Sequence, residues 1–480
     1  MTPPDKAARR RRRQPTSTNT PAKPTTNAVK TRRAQRAHGF LDIIKRRHGD
    51  GVYDGDQYGG AAGSDGKGKP TGGPGNFMFA TGIECSYPTI HHGRVRRDML
   101  DECGHYQHWR EDLRLVHDLG LKVLRYGLPY HRIHLGPGRY DWDFADEAMR
   151  EIRRLGITPI LDLLHFGVPS WIGNFQNPEL PVLFGDYADA VAQRYPWVRF
   201  YTPVNEIYIT ARMSAKDGLW NEQLTSDHGF VTAMKHLVAA NTLACHALAH
   251  RRPDVVIVQS ESAEFIHEAV SDPTPGVQLA NKLRLLSLDL LYAHPPDAEV
   301  MTYLFDNGMT REEYDWKMRG EPPGYQIMGN DYYGRNEHII TPDGSKSISE
   351  DVMGWYQITK QYYERYKKPV MHTETNVFES EKAPAWLWKQ WINILRMRAD
   401  GVPVLGFTWY SLTDQIDWDV GLAKKRGKVN ACGLFDLKRR PRPVSKAYRA
   451  LLAEFGRITI VPHGEIFEMS DEPARLKIEV

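Results

Sequence analysis

The chain has 480 residues, 41% hydrophobic and 11% aromatic, with a formal net charge of +4. That length suffices for one large α/β barrel with appendages, or for two to three ordinary domains. No apolar run reaches the length of a membrane span, and Cys85, Cys103, Cys245 and Cys432 follow neither a zinc spacing nor a disulfide framework. An integral helical membrane protein and a cysteine-stapled scaffold are thereby excluded, and no metal site is indicated.

Charge divides the chain unevenly. Residues 1–48 hold 14 Lys/Arg, including the run Arg9 to Arg13, against Asp5 and Asp42. Their net of +12 leaves −8 for the rest, so an acidic body follows a basic tail. Residues 1–36, rich in Arg, Pro and Thr, are expected to be disordered. Phe40 to Ile44 form a short apolar patch beside Lys45-Arg46-Arg47, and residues 50–75 read as a Gly-rich flexible linker. Residues 1–75 are therefore set apart as tail and linker. No apolar secretory core is present in the tail, so a cytoplasmic location is expected. The tail admits two readings: contact with an anionic surface such as nucleic acid or lipid headgroups, or simple solvation.

From residue 76 to 455 the pattern is regular. Eight apolar, β-rich segments recur: Phe77–Gly82, Lys122–Tyr126, Thr158–Leu164, Arg199–Asn205, Val255–Ser260, Gln326–Tyr333, Pro369–Thr373 and Val404–Trp409. Amphipathic runs such as Tyr106–Leu119 and Phe144–Leu155 lie between them, the latter with Asp143 as expected N-cap. Strands alternating with helices imply a parallel sheet, and eight repeats imply an α/β fold of the (β/α)8 TIM-barrel type. An open doubly wound sheet is the rival, but the first strand lacks its Gly-rich phosphate turn. Residues 456–480 carry two short alternating runs that suit a hairpin against the barrel.

Two carboxylates stand out in this frame. Glu206 closes the fourth segment, in Thr202-Pro-Val-Asn205-Glu206, and Glu374 closes the seventh, in His372-Thr-Glu374-Thr-Asn376. Strand ends of this kind carry catalysis in such barrels, and cleavage of a glycosidic bond needs two carboxyl groups. One holds a proton for the leaving oxygen; the other attacks or stabilises the sugar carbon.

These motifs resemble those of glycoside hydrolase family 1, the β-glucosidase family of clan A. Asn205-Glu206 resembles the acid/base signature of the clan, and Thr373-Glu374-Thr-Asn376 the family's nucleophile signature. Leu124-Arg125-Tyr126-Gly127, Leu163-Leu-His165-Phe166-Gly-Val-Pro169, Gly329-Asn-Asp331-Tyr-Tyr333 and Tyr410-Ser-Leu-Thr-Asp-Gln-Ile-Asp417-Trp418 resemble four further segments in the same order. The resemblance implies a retaining β-glycosidase without cofactor, its carboxyls about 5–5.5 Å apart. It implies Glu206 as general acid and Glu374 as ionised nucleophile. Arg125 and Tyr333 would donate to Glu374, and Arg125 would lower its pKa. Asn205 and His165 would bind sugar hydroxyls, Asp417 and Trp418 outer hydroxyls, and Tyr410 would face the ring.

Departures from the family pattern bear on the substrate. Glu84 or Tyr87 stands near the place of a first-strand Gln, Asp417 replaces Glu, and Tyr410 replaces Trp. Asp331 replaces Asn and adds a third acid, which would raise a neighbour's pKa. The basic segment Ala423 to Lys428 admits an anionic substrate group, such as a sugar phosphate, or a solvated loop. Besides hydrolysis of a β-linked carbohydrate, two alternatives stand: transglycosylation through the same intermediate, and a barrel that binds carbohydrate without turnover.

Overall fold

The computed structural model describes residues 39–48, 77–268, 275–341, 345–349 and 352–458. Eight parallel strands close a barrel in chain order: β1 (Met78–Gly82), β2 (Val123–Gly127), β3 (Thr158–Leu164), β4 (Phe200–Val204), β5 (Val256–Ser262), β6 (Tyr325–Asp331), β7 (Val370–Glu374) and β8 (Val404–Tyr410). Each falls within two residues of the segment read from the sequence. Helices follow the strands, among them His105–Asp118, Asp143–Arg154, Leu180–Arg194, Asp227–Arg251, Gly354–Tyr366, Ala383–Ala399 and Pro443–Phe455. Asp143–Arg154 buries Ala145, Ala148, Met149 and Ile152, one stripe at helical spacing. Its cap differs from expectation: Asp143 is the first helical residue, and the Asp141 carboxylate accepts its N–H at 3.1 Å.

The period of two in each strand builds two layers. Met78, Ala80, Val123, Ile160, Phe200, Val256, Val258, Ile327, Met371 and Leu405 pack together as the apolar filling of the barrel. Their alternates, such as Phe79, Leu124, Leu161, Ile257 and Met328, join the larger cluster shared with the helices. One step further along the inward phase, Val123 is succeeded by Arg125, Ile160 by Asp162 and Val258 by Ser260. The C-terminal end of the barrel is thus polar because the inward residues change character there.

A register shift decides where Glu374 points. Gly329 pairs with Met371, yet Asp331 pairs with Glu374, so β7 carries one extra residue. Such a bulge reverses side-chain parity and brings Glu374 onto the face of Asp331 rather than the opposite one.

Within the stretch expected as tail and linker, Phe40–His48 is a helix. Phe40, Leu41 and Ile44 are buried against Val182, Ala239, Leu243 and Trp316, with Phe40 edge-on to Trp316 at 5.7 Å. Lys45 pairs with Glu312, and Arg47 donates to Asp186 at 2.5 Å. Expectations for residues 1–38, 49–76 and 459–480, including the basic tail and the hairpin, lie outside the described residues. Among the described residues no helix is long and apolar enough to cross a membrane.

Removing the Phe40 ring leaves a hole that costs about 3–5 kcal/mol at a buried aromatic, more than this short helix can absorb. Phe40→Ala is expected to speed tryptic cleavage at Lys45, Arg46 and Arg47. A cleavage rate equal to wild type contradicts this anchoring.

Candidate active site

Arg125, on β2 and 1% exposed, lies at the centre of the polar layer. Its Nη1 donates to Glu374, and its Nη2 donates to Asp162 at 2.9 Å and to Asn205 at 2.5 Å. The Tyr333 hydroxyl donates to the other Glu374 oxygen at 2.6 Å. Two strong donors therefore fix that carboxylate in rotation as well as position.

A chain of bonds runs on from Asp162. It accepts from His165 Nδ1 at 2.8 Å, and His165 Nε2 meets the Asn205 amide nitrogen at 3.1 Å. Asp162 and Cys85 favour a protonated imidazole, after burial has acted the other way. A proton on Nε2, however, would face the Asn205 NH2. Turning the amide would instead set that NH2 against Arg125. The bonding pattern as a whole fits a neutral His165 with its proton on Nδ1.

Glu206 sits differently. It follows β4 in a left-handed backbone turn, φ 40° and ψ 65°, and opens the helix Ile207–Ala215. For a residue with a side chain such a turn costs about 1–3 kcal/mol and persists only where neighbours enforce it. Its N–H donates to the Ser260 carbonyl at 2.9 Å, and its carbonyl accepts the Thr210 N–H at 2.8 Å. Among the described residues no hydrogen bond reaches its carboxylate.

Protonation follows from these environments. Burial first, then the charges of Asp331, Glu374 and Glu261, drive the Glu206 pKa well above the ordinary carboxylate range. Glu374 is pushed up to about 7 by burial and by Asp331, with Arg125 and Tyr333 pulling back. The expected lowering by Arg125 is real but outweighed. Since Glu374 has two donors and Glu206 none, a proton shared by the pair resides on Glu206.

Glu206, Glu374, His165, Tyr333, Tyr410 and Trp418 all line one cavity of about 1360 Å³. Arg125, Asn205 and Asp331 are buried behind that lining. Asp331, fully buried, accepts from the Ser260 hydroxyl at 2.7 Å and acts on the site through its charge. Tyr410 turns its hydroxyl away, donating to the Ile83 carbonyl at 3.1 Å, and stacks its ring 6.2 Å from His165. Gly82 permits this, since a Cβ there would lie 2.3 Å from the Tyr410 ring. Glu84, not Tyr87, fills the first-strand place: it lines the cavity and accepts from Gln415 at 2.7 Å.

The placement of Asp417 is a correction. Expected to bind outer hydroxyls, it is fully buried, absent from the cavity lining, and fastened to a loop. It accepts backbone N–H groups of Arg426 (2.7 Å), Gly427 (3.0 Å) and Lys428 (2.9 Å), and Arg97 donates at 3.0 Å. Three of that loop's four cations are engaged as well. Arg426 and Lys428 donate to Asp419, at 2.6 and 2.8 Å, and Lys425 lies 3.5 Å from Glu102. An anionic sugar group would have to compete with these acids.

Asp162, Gln415 and Ser260 are buried polar residues around the site that sequence motifs do not announce. Asp162 and His165 alone carry a local signal, an acid three residues before a histidine at a strand end. Cys85, Asp162 and His165 bring three potential ligand atoms within 4.8 Å of one another. The Arg125 guanidinium on Asp162 and the proton on His165 Nδ1 both oppose a cation at that point.

A family model described as Glycosyl hydrolase family 1 matches residues 56–295, half of the 480, and the chain belongs to that family. The protein is thus a glycosidase on a closed α/β barrel. It is 22% identical over 369 residues to "Beta-glucosidase A" of Thermotoga maritima, covering 68% of this chain and 81% of that protein. It is 20% identical over 362 residues to "Galactolipid galactosyltransferase SFR2, chloroplastic" of Arabidopsis thaliana, covering 68% of this chain and 54% of that one. The solved "Family 1 b-glucosidase from Thermotoga maritima" superposes with a TM-score of 0.66 at 18% identity, over 80% of this chain and 99% of the other, which shows a shared fold.

Asp331 is the foremost charge raising both Glu206 and Glu374. Neutralising it favours both ionised forms, so both pKa values fall. Asp331→Asn is expected to move both limbs of the kcat/KM–pH profile to lower pH; limbs that stay in place contradict the coupling.

Proposed function

We propose that this glycosidase is a retaining β-glycoside hydrolase, with Glu206 as general acid/base and Glu374 as nucleophile. The observation that carries this reading is an asymmetry. Two buried carboxyls at the ends of β4 and β7 line one cavity, and only Glu374 is held by donors. A group that must arrive protonated is best left without donors, and one that must attack is best held and ionised.

In the first step the Glu206 proton passes to the glycosidic oxygen, the bond to the anomeric carbon breaks, and a Glu374 oxygen bonds that carbon. In the second, Glu206 takes a proton from water, whose oxygen displaces Glu374 and returns the β-anomer. Asn205 has one amide hydrogen on His165 and a second for the sugar 2-hydroxyl, where contacts strengthen in the transition state. Trp418 is a further contact, its buried indole N–H having no acceptor among the described residues, whereas His165, with both ring nitrogens bonded inside the protein, orients Asn205 rather than holding a hydroxyl itself. Glu84 and Gln415 replace Asp417 as the polar floor in this proposal.

Transfer to an acceptor hydroxyl is a second reading. Beyond the carboxylates the cavity walls include Ile209, Met213, Leu219 and Phe378, an apolar surface large enough for an acceptor to displace water. The Arabidopsis relative carries a galactosyltransferase name.

A panel of aryl β-glycosides tests the proposal. Wild type is expected to release the β-anomer first by proton NMR. Glu206→Gln should lower kcat/KM on unactivated aryl glycosides by about 10²–10⁴-fold, and Glu374→Gln should abolish turnover. Products with an added alcohol would establish transfer, whereas first release of the α-anomer would overturn retention.

A further inference from the structure

We propose that Glu261 is a positioning residue for Glu206: its carboxylate takes the first two N–H groups of the helix that Glu206 opens, holds the turn there, and leaves the Glu206 carboxyl free for the cavity. The inference rests on the acid/base role proposed above for Glu206.

A residue just before a helix ordinarily has extended backbone, and its own side-chain oxygen accepts one of the unpaired N–H groups of the first turn. Glu206 does neither. Its backbone is left-handed and its side chain makes no capping bond. Were it to cap its own helix, its carboxyl would be spent on the backbone and withdrawn from the substrate. The donors at the helix start must then be satisfied from elsewhere, because buried N–H groups without acceptors are costly.

Glu261 supplies that acceptor from the neighbouring strand. It lies on β5, 1% exposed. Its Oε1 accepts Ile207 N–H at 2.9 Å and its Oε2 accepts Tyr208 N–H at 3.3 Å. The preceding residue, Ser260, accepts Glu206 N–H at 2.9 Å through its carbonyl. Consecutive residues of β5 therefore grip the chain at Glu206 and at the two residues after it. A carboxylate at a helix N-terminus also meets the favourable end of the helix dipole. Thr210 completes the turn from the other side, its hydroxyl donating to the Asn205 carbonyl at 3.0 Å. Both carboxylate oxygens are needed, since the two donors belong to successive residues.

Glu261→Gln keeps the shape but sets an NH2 group against one of the two N–H donors. The turn then shifts and Glu206 is misaimed, and one charge that helps keep it protonated is lost, while no group that touches the sugar is itself replaced. Proton donation should suffer, and substrate binding should not. Aryl β-glycosides of graded leaving-group acidity separate the two. Dinitrophenoxide departs without a proton; methoxyphenoxide needs one. In Glu261→Gln, kcat/KM for the methoxyphenyl substrate is expected to fall about 10²-fold, the scale of a misplacement of about 1 Å. For the dinitrophenyl substrate it should stay within about twofold of wild type. A merely structural role would slow both substrates alike and lower the melting temperature; that result, or no change on either, overturns the proposal. If Glu261→Gln does not fold, Glu261→Asp, which keeps charge and both oxygens on a shorter stem, is expected to show the same split to a smaller degree. Equal losses there overturn it too. Absence of turnover in wild type on both substrates would instead sink the hydrolase reading.

Discussion

One buried guanidinium holds the barrel mouth together. Arg125 is bonded to Glu374, Asp162 and Asn205 at once, and Glu206, Asp331 and Glu84 are buried close by. Removing the partner of a buried charge costs about 3–5 kcal/mol, because the remaining ion is left without water or counter-charge. The planar fork matters as much as the charge. A lysine ammonium cannot address three acceptors from a rigid plane. Through Arg125 the ends of β2, β3, β4 and β7 are tied into one bonded unit, and the orientation of His165 follows from it through Asp162 and Asn205.

Around that unit the two proposed catalytic carboxyls are treated in opposite ways. Glu374 is brought inward by the bulge in β7 and clamped by Arg125 and Tyr333. Glu206 is turned inward by a strained backbone and left without donors. Asp331 lifts both, and the unequal donor sets push them apart again. A single residue change relative to the family pattern, Asp for Asn, thereby tunes the pair without touching the cavity. The cavity is lined by Glu84, His165, Trp418 and the two carboxyls, with apolar walls beyond.

Much of this was legible in the chain, and the exceptions have a common cause. Strand positions could be read because apolar runs ending in a polar residue are local signals; Glu206 and Glu374 each close such a run. The third acid at Asp331 was legible through the resemblance of Gly329–Tyr333 to a family motif. Asp417 was not. Its partners are Arg97, 320 positions away, and backbone N–H groups of a loop that only the fold brings round. The extra residue in β7 was hidden too, since a bulge is set by pairing with β6 rather than by composition. Glu261 looks like an ordinary polar residue at a strand end until the helix start from β4 is laid against it. The apolar patch at Phe40 was visible, whereas its groove, formed by Val182, Leu243 and Trp316, comes from three distant segments.

The division of labour between the two carboxyls is tested most directly by trapping the covalent intermediate. An activated 2-deoxy-2-fluoro β-glycoside slows both steps but leaves rapidly from the first, so the glycosyl-enzyme accumulates. Peptide mass spectrometry of the inactivated protein is expected to find the fluorosugar on Glu374. A label on Glu206, or inactivation with no label on either carboxyl, would contradict the account.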